Sequence, residues 1–220
     1  MYLQTYELKF PTIYDPSENE KNLFESLELD CTAFLFVYDI TSIETFENIE
    51  IYIKELNFEK YENLKVIFVG NKLDLEEKRQ IELSQVKEKV KEIINSNEIV
   101  NSNIDFFEIS LKNNINCDKL FQQINSNIEI KYLDCDYTLV EESLGTYMTE
   151  RNAKLPEIRV SLFGESDAGK TAFVTRLMND KFSEESMSTI GEIQANKIMN
   201  FMNQPIKVYL WDTGIFFIIF

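Results

Sequence analysis

Residues 158–178 read IRVSLFGESDAGKTAFVTRLM. An apolar run of strand type meets the spacing G-x-x-x-x-G-K-T at 164–171 and continues as a helix-forming run. A strand that turns through such a loop into a helix commits the chain to an α/β layer fold, because only a sheet edge presents the loop and the helix start together. Backbone N–H groups of Gly164 to Lys170, those of Asp167 and Ala168 included, would ring phosphate groups, and Gly169 permits close approach of the backbone. In this pattern Lys170 pairs with the β and γ phosphates, and the Thr171 hydroxyl ligates Mg²⁺.

Strand and helix alternate three times before this point. CTAFLFVYDI (31–40), KVIFVG (65–70) and DFFEIS (105–110) have the length and apolar content of buried strands. Between them, Ser42 stands as a candidate cap for a helix carrying Phe46, Ile49, Ile53 and Leu56 at helical spacing. LSQVKEKVKEII (83–94) and CDKLFQQINSNIEI (117–130) supply two further amphipathic helices. The predicted fold class is α/β: a three-layer, mostly parallel sheet of the P-loop NTPase type with helices on both faces. QANKIMNF and IKVYLW (194–201 and 206–211) read as a hairpin, whereas 131–156 has no sustained period and reads as a linker.

Composition narrows the chemistry. The chain has no histidine, which removes Ser-His and Cys-His nucleophile pairs and most zinc enzymes. Its three cysteines form no CxxC pair and read as reduced thiols. The longest apolar run, IFFIIF at 215–220, is far below a bilayer span, and no signal peptide pattern opens the chain, so a cytoplasmic location is expected. A formal charge of −16 argues against nucleic acid as a partner. That charge is uneven: residues 1–156 carry a net −14 and residues 157–220, with the glycine-rich loop, only −2.

NKLD, Asn71 to Asp74, follows the second strand, where a nucleotide base would lie at the carboxyl edge of a parallel sheet. A carboxylate such as Asp74 accepts two hydrogen bonds from a base edge with two adjacent donors, which guanine has and adenine lacks.

These pieces together resemble Rab-type small GTPases of the Ras superfamily. FLFVYDITSIETFENI, VIFVGNKLDL and FFEISLKNN resemble, in order and spacing, the second half of a Rab domain. IRVSLFGESDAGKTAFVTRLMNDKFSEESMSTIGE and IKVYLWDTG resemble its first third. The resemblance implies GTP or GDP binding with Mg²⁺, protein effectors or regulators, and a place in vesicle trafficking. It makes Asn71 and Asp74 the base-reading pair and Lys72 a lysine whose stem packs on the base. Ser110, Leu111 and Lys112 take the place of a Ser-Ala-Lys whose backbone contacts the guanine carbonyl. Phe182 matches a ring that stacks edgewise on guanine. Thr189 matches the threonine that ligates Mg²⁺ when a γ phosphate is present, and Asp212 the aspartate that holds Mg²⁺ through water.

The order of the pieces departs from the family. Residues 1–130 correspond to the guanine-reading half without a phosphate loop, 131–156 to a linker, and 157–220 to the opening part of a second domain. Where the family places a water-orienting glutamine after Asp-x-x-Gly, this sequence has Ile215 and Phe216, so no catalytic residue is assigned and hydrolysis is expected to be weak. MYLQTYELKFPTI resembles an earlier copy of the same strand and switch, with Glu7, Phe10 and Pro11 at the functional positions. With no cysteine motif in the residues up to Phe220, no lipid anchor is expected. A permuted assembly into one six-stranded site is geometrically allowed, with the strand at 206–212 favoured over its copy at 2–8 because its hairpin closure is cheaper in entropy. The displaced strand edge would offer a route to dimerisation. Two alternatives stand beside the nucleotide switch: a non-catalytic interaction module, and an incomplete tandem gene product.

Overall fold

The computed structural model describes residues 31–56, 64–96, 103–125, 139–142, 145–148, 156–183, 193–201 and 204–212. Their main feature is a six-stranded sheet in the order β3-β2-β1-β6-β8-β7. Its strands are β1 (Ala33–Asp39), β2 (Lys65–Asn71), β3 (Ile104–Glu108), β6 (Glu157–Phe163), β7 (Ile193–Phe201) and β8 (Gln204–Asp212). All neighbours are parallel except β7, which pairs antiparallel to β8 as the predicted hairpin.

The seam between distant parts of the chain is the β1–β6 pair, in which Ala33 to Phe36 lie opposite Val160 to Phe163. Thr32 N–H donates to the Arg159 carbonyl at 2.8 Å, and Arg159 N–H donates back to the Thr32 hydroxyl at 2.7 Å. β1 is buried at all seven positions, as a strand covered on both faces must be.

Period-two alternation along the strands sorts the core into two layers. Leu35, Val37, Ile67, Val69, Val160 and Leu162 face α4 (Cys117–Asn125) and α5 (Lys170–Asn179). Phe34, Phe36, Tyr38, Phe68 and Phe163 face α1 (Ile43–Glu47), α2 (Ile49–Glu55) and α3 (Leu83–Ser96). Phe36 stacks on Phe68 at 5.2 Å and on Phe163 at 5.5 Å between ring centroids, so the aromatic layer crosses the seam.

Three expectations change. The helix after Ser42 is broken at Asn48 into α1 and α2. Ser42 takes the extended N-cap conformation, but its hydroxyl makes no cap bond; the Thr45 hydroxyl bonds the Ser42 carbonyl at 2.7 Å instead. The segment 131–156, in which no sustained period was expected, contains a two-stranded antiparallel pair, β4 (Leu139–Glu142) with β5 (Gly145–Met148). Val140, Thr146 and Tyr147 have the strand propensity for it, but eight paired residues are too few to stand out as a period.

The helix predicted over 117–130 is described as far as Asn125. β8 occupies the slot beside β6, while the competing strand at 2–8 lies outside the described residues.

Candidate functional site

Because the strands run parallel, β1, β2, β3, β6 and β8 all deliver their carboxyl ends to one edge. Asp39, Asn71, Ser110, Gly164 and Asp212 therefore gather there from sequence positions far apart.

The glycine-rich loop leaves β6 at Gly164 and enters α5 at Lys170. Gly164 and Gly169 both have positive φ, +143° and +107°. Their surroundings come from the earlier part of the chain. A Cβ on Gly164 would lie 2.1 Å from the Val37 carbonyl oxygen, and one on Gly169 would lie 2.2 Å from Asn71 Nδ2. Asp167 also has a left-handed φ of 61° and is exposed at the loop tip, while Ala168 is fully buried.

Lys170 is buried, and its ammonium donates to the carbonyls of Gly164 at 2.6 Å and Glu165 at 2.9 Å. Burial pushes its pKa down, opposed by the negative charges of Asp212, Glu165 and Asp167. The Thr171 hydroxyl donates to the Asp212 carboxylate at 2.5 Å, and Asp212 is fully buried. A hydroxyl and a carboxylate side by side are the hard oxygen donors that Mg²⁺ accepts, and Mg²⁺ needs few protein ligands when phosphates and water complete its shell. No group of three or more Cys, Asp or Glu side chains suited to a metal occurs among the described residues.

Facing the loop is the NKLD segment. The Asn71 side chain acts as a clasp: Nδ2 donates to the Ala168 carbonyl at 3.0 Å, and Oδ1 accepts from the Leu111 N–H at 3.3 Å. One amide therefore joins the glycine-rich loop to the Ser110–Lys112 loop. Lys72 adopts a left-handed φ of 67°, unusual outside glycine, and its ammonium pairs with the buried Asp39 carboxylate at 2.7 Å. Asp74 lies in a 3₁₀ turn, Leu73–Lys78, and accepts from the Ser110 hydroxyl at 2.5 Å. Arg79 locks that turn to the sheet with a two-pronged bond to Glu108, at 2.5 and 3.1 Å. The Ser110 hydroxyl also takes the Asn113 N–H at 3.0 Å, and left-handed Asn114 and Asn116 let the loop turn into α4.

Phe182, just beyond α5, is half-buried against the core layer that α4 and α5 cover. Thr189 lies outside the described residues, as do Ile215 and Phe216. The remaining site residues named from the sequence meet at one sheet edge. Sequence reasoning missed Asp39 as the partner of Lys72 and Arg176 as a partner of the Ser110–Lys112 loop. An acidic strand terminus is a visible signal for the first, but the second follows only from the tertiary fold.

A mostly parallel six-stranded sheet with helices on both faces and a glycine-rich loop opening a helix at its carboxyl edge is the α/β fold of P-loop GTPases. The family model described as Ras family matches residues 13–130 and 159–214, well over half of the sequence, and the chain belongs to that family of small GTPases. It is 27% identical over 114 residues to the Ras-like protein rasU of Dictyostelium discoideum, a match covering 52% of this chain and 48% of that protein. Among solved structures it is similar to the GTP-bound wild-type EhRabX3 of Entamoeba histolytica, with 20% identity and a TM-score of 0.32, over 83% of this chain and 50% of that one. The chain thus spans about half the length of these two proteins. No helix among the described residues is long and apolar enough to cross a membrane.

Proposed function

We propose that the chain binds GTP and GDP, with Mg²⁺, at one composite site whose base-reading and phosphate-binding parts follow each other in reversed order. In this reading 1–130 supplies Asn71, Lys72, Asp74 and Ser110–Lys112, and 157–220 supplies Gly164–Thr171, Phe182, Thr189 and Asp212. The observation that carries it is the Asn71 clasp, which holds the Ala168 carbonyl of the phosphate loop and the Leu111 amide of the base loop on one side chain.

The roles follow from chemistry. The loop N–H groups and Lys170 would neutralise phosphate charge, and an arriving anion would relieve the unfavourable burial of the ammonium. Asp74, held by Ser110, would accept the two donors of the guanine edge. Thr171 and Asp212, with Thr189, would hold Mg²⁺, which neutralises charge between the β and γ phosphates. Phe216 stands in place of the glutamine that would orient water, and Ile215 in place of the glycine before it, so turnover is weak and the chain works mainly as a binding module for protein effectors or regulators. A cytoplasmic, Rab-like role in vesicle traffic belongs to the same reading.

Titration of the nucleotide-stripped protein with fluorescent GDP, GTP and ADP, with and without Mg²⁺, tests it. Guanine nucleotides bind far more tightly than ADP, chelation of Mg²⁺ weakens GTP, and Lys170→Ala loses roughly ten- to hundredfold, the worth of a charge-assisted phosphate contact. Equal affinity for ADP and GDP would sink the proposal.

A further inference from the structure

Arg176 has no assigned part in the site, yet its side chain is only 10% exposed and its guanidinium is aimed at the base loop. Nε donates to the Leu111 carbonyl at 2.9 Å, and Nη2 donates to the same oxygen at 2.5 Å and to the Lys112 carbonyl at 3.1 Å. Nη1 donates to the Asp180 carbonyl at 3.2 Å, at the left-handed end of α5. Planar, forked donors are needed to hold two successive carbonyls and the helix end at once, which is what distinguishes Arg from Lys.

The earlier part of the chain holds the same loop through other groups. Ser110 is fixed by Asp74 and by the Asn113 and Ile115 backbone, and the Leu111 N–H by Asn71. Those contacts belong to the earlier part of the chain. The Leu111 and Lys112 carbonyls are held by Arg176 of α5, the helix that begins with Lys170 and Thr171. One rigid helix thus carries the phosphate-side groups at its first turn and a grip on the base loop less than two turns later. Bonding those two carbonyls from one guanidinium fixes the peptide planes between Leu111 and Asn113, and with them the direction of the N–H groups.

We infer that Arg176 is a positioning residue for the base: it sets the Ser110–Lys112 backbone relative to the phosphate loop and so determines guanine affinity without touching nucleotide. The inference rests on the composite site proposed above.

The test compares wild type, Arg176→Lys and Arg176→Ala in affinity for GDP, for ADP and for pyrophosphate, which has no base. Amide hydrogen exchange at Lys112 and Asn113 is measured alongside in the nucleotide-free proteins. Lysine keeps the charge and the stem but lacks the fork, so both variants should lose about tenfold for GDP, keep pyrophosphate affinity and exchange faster at the loop. A variant that merely unfolds would lose pyrophosphate as well, and loss of GDP and pyrophosphate in proportion overturns the inference. GDP affinity at the wild-type level in both variants also overturns it, and leaves the proposed function standing. A wild type without guanine preference removes the proposed function and this role with it.

Discussion

Gly169 shows how a single residue can be constrained by a segment far away in sequence. Its φ of +107° disfavours any side chain, and the Asn71 amide stands 2.2 Å from where a Cβ would be built. Gly169→Ala therefore carries backbone strain and a steric clash, costing about 1–3 kcal/mol of stability. The clash component disappears when the amide is removed, so Gly169→Ala costs less in an Asn71→Ala background than in wild type. Urea unfolding of the four proteins of the cycle measures this; strict additivity would place Asn71 elsewhere. A second residue-scale prediction concerns Lys72, held in its left-handed conformation beside Asp39. Asp39→Asn removes the charge partner, and GDP affinity falls severalfold while pyrophosphate affinity stays, because an ion pair to half-buried Lys72, partly screened by solvent, is worth about 1 kcal/mol. Unchanged GDP binding would show that Lys72 needs no such support. The position of Asn71, Lys72 and Asp74 at the carboxyl edge was legible because they end and follow a strand whose apolar run marks it as buried. The partner of Asn71 was not, since Ala168 is 97 residues away and offers only a carbonyl.

At the scale of elements, strands and helices were legible where their period was long and apolar, as in β1 or α3. The break at Asn48 and the β4–β5 pair were not, for a helix kink leaves the apolar spacing intact and a four-residue strand is too short to show a period. The parallel joining of β1 and β6 was only one geometrically allowed outcome, and its side chains explain why it holds. Phe163, fully buried, packs edge-on against Phe34 at 5.2 Å and stacks on Phe36 at 5.5 Å, with the Tyr52 ring at 6.3 Å. Tyr52 is buried enough that its phenol is pushed up to about 12. Phe163→Ala leaves a cavity at the seam and costs about 3–5 kcal/mol, with a fall of roughly 6–20 °C in Tm. Phe163→Leu keeps most of the volume and costs well under half of that. Denaturant titration followed by the fluorescence of Trp211 reads both; an Ala variant within about 1 kcal/mol of wild type would contradict the packing.

Over the whole molecule, the two halves are not separate bodies that touch, because both core layers contain side chains from each. Ala33, Leu35 and Val37 share one layer with Val160, Leu162 and Phe173, and Phe34 and Phe36 share the other with Phe163. Exposing either half alone would strip apolar side chains on both sides of the seam, which favours a single cooperative unfolding transition over two. The covalent connection then contributes mainly effective concentration. A specific protease site placed between residues 131 and 138 separates the part with Asn71 and Asp74 from the part with the glycine-rich loop without removing any described residue. After cleavage the fragments remain together on size exclusion at micromolar concentration. Their urea midpoint, independent of protein concentration before the cut, rises with concentration after it, because folding has become bimolecular. Fragments that elute apart while each keeps its own structured transition would mean two independent folding units and would end the case for a composite site. Co-elution with a concentration-dependent midpoint would mean that the sheet order, rather than the chain order, defines the molecule.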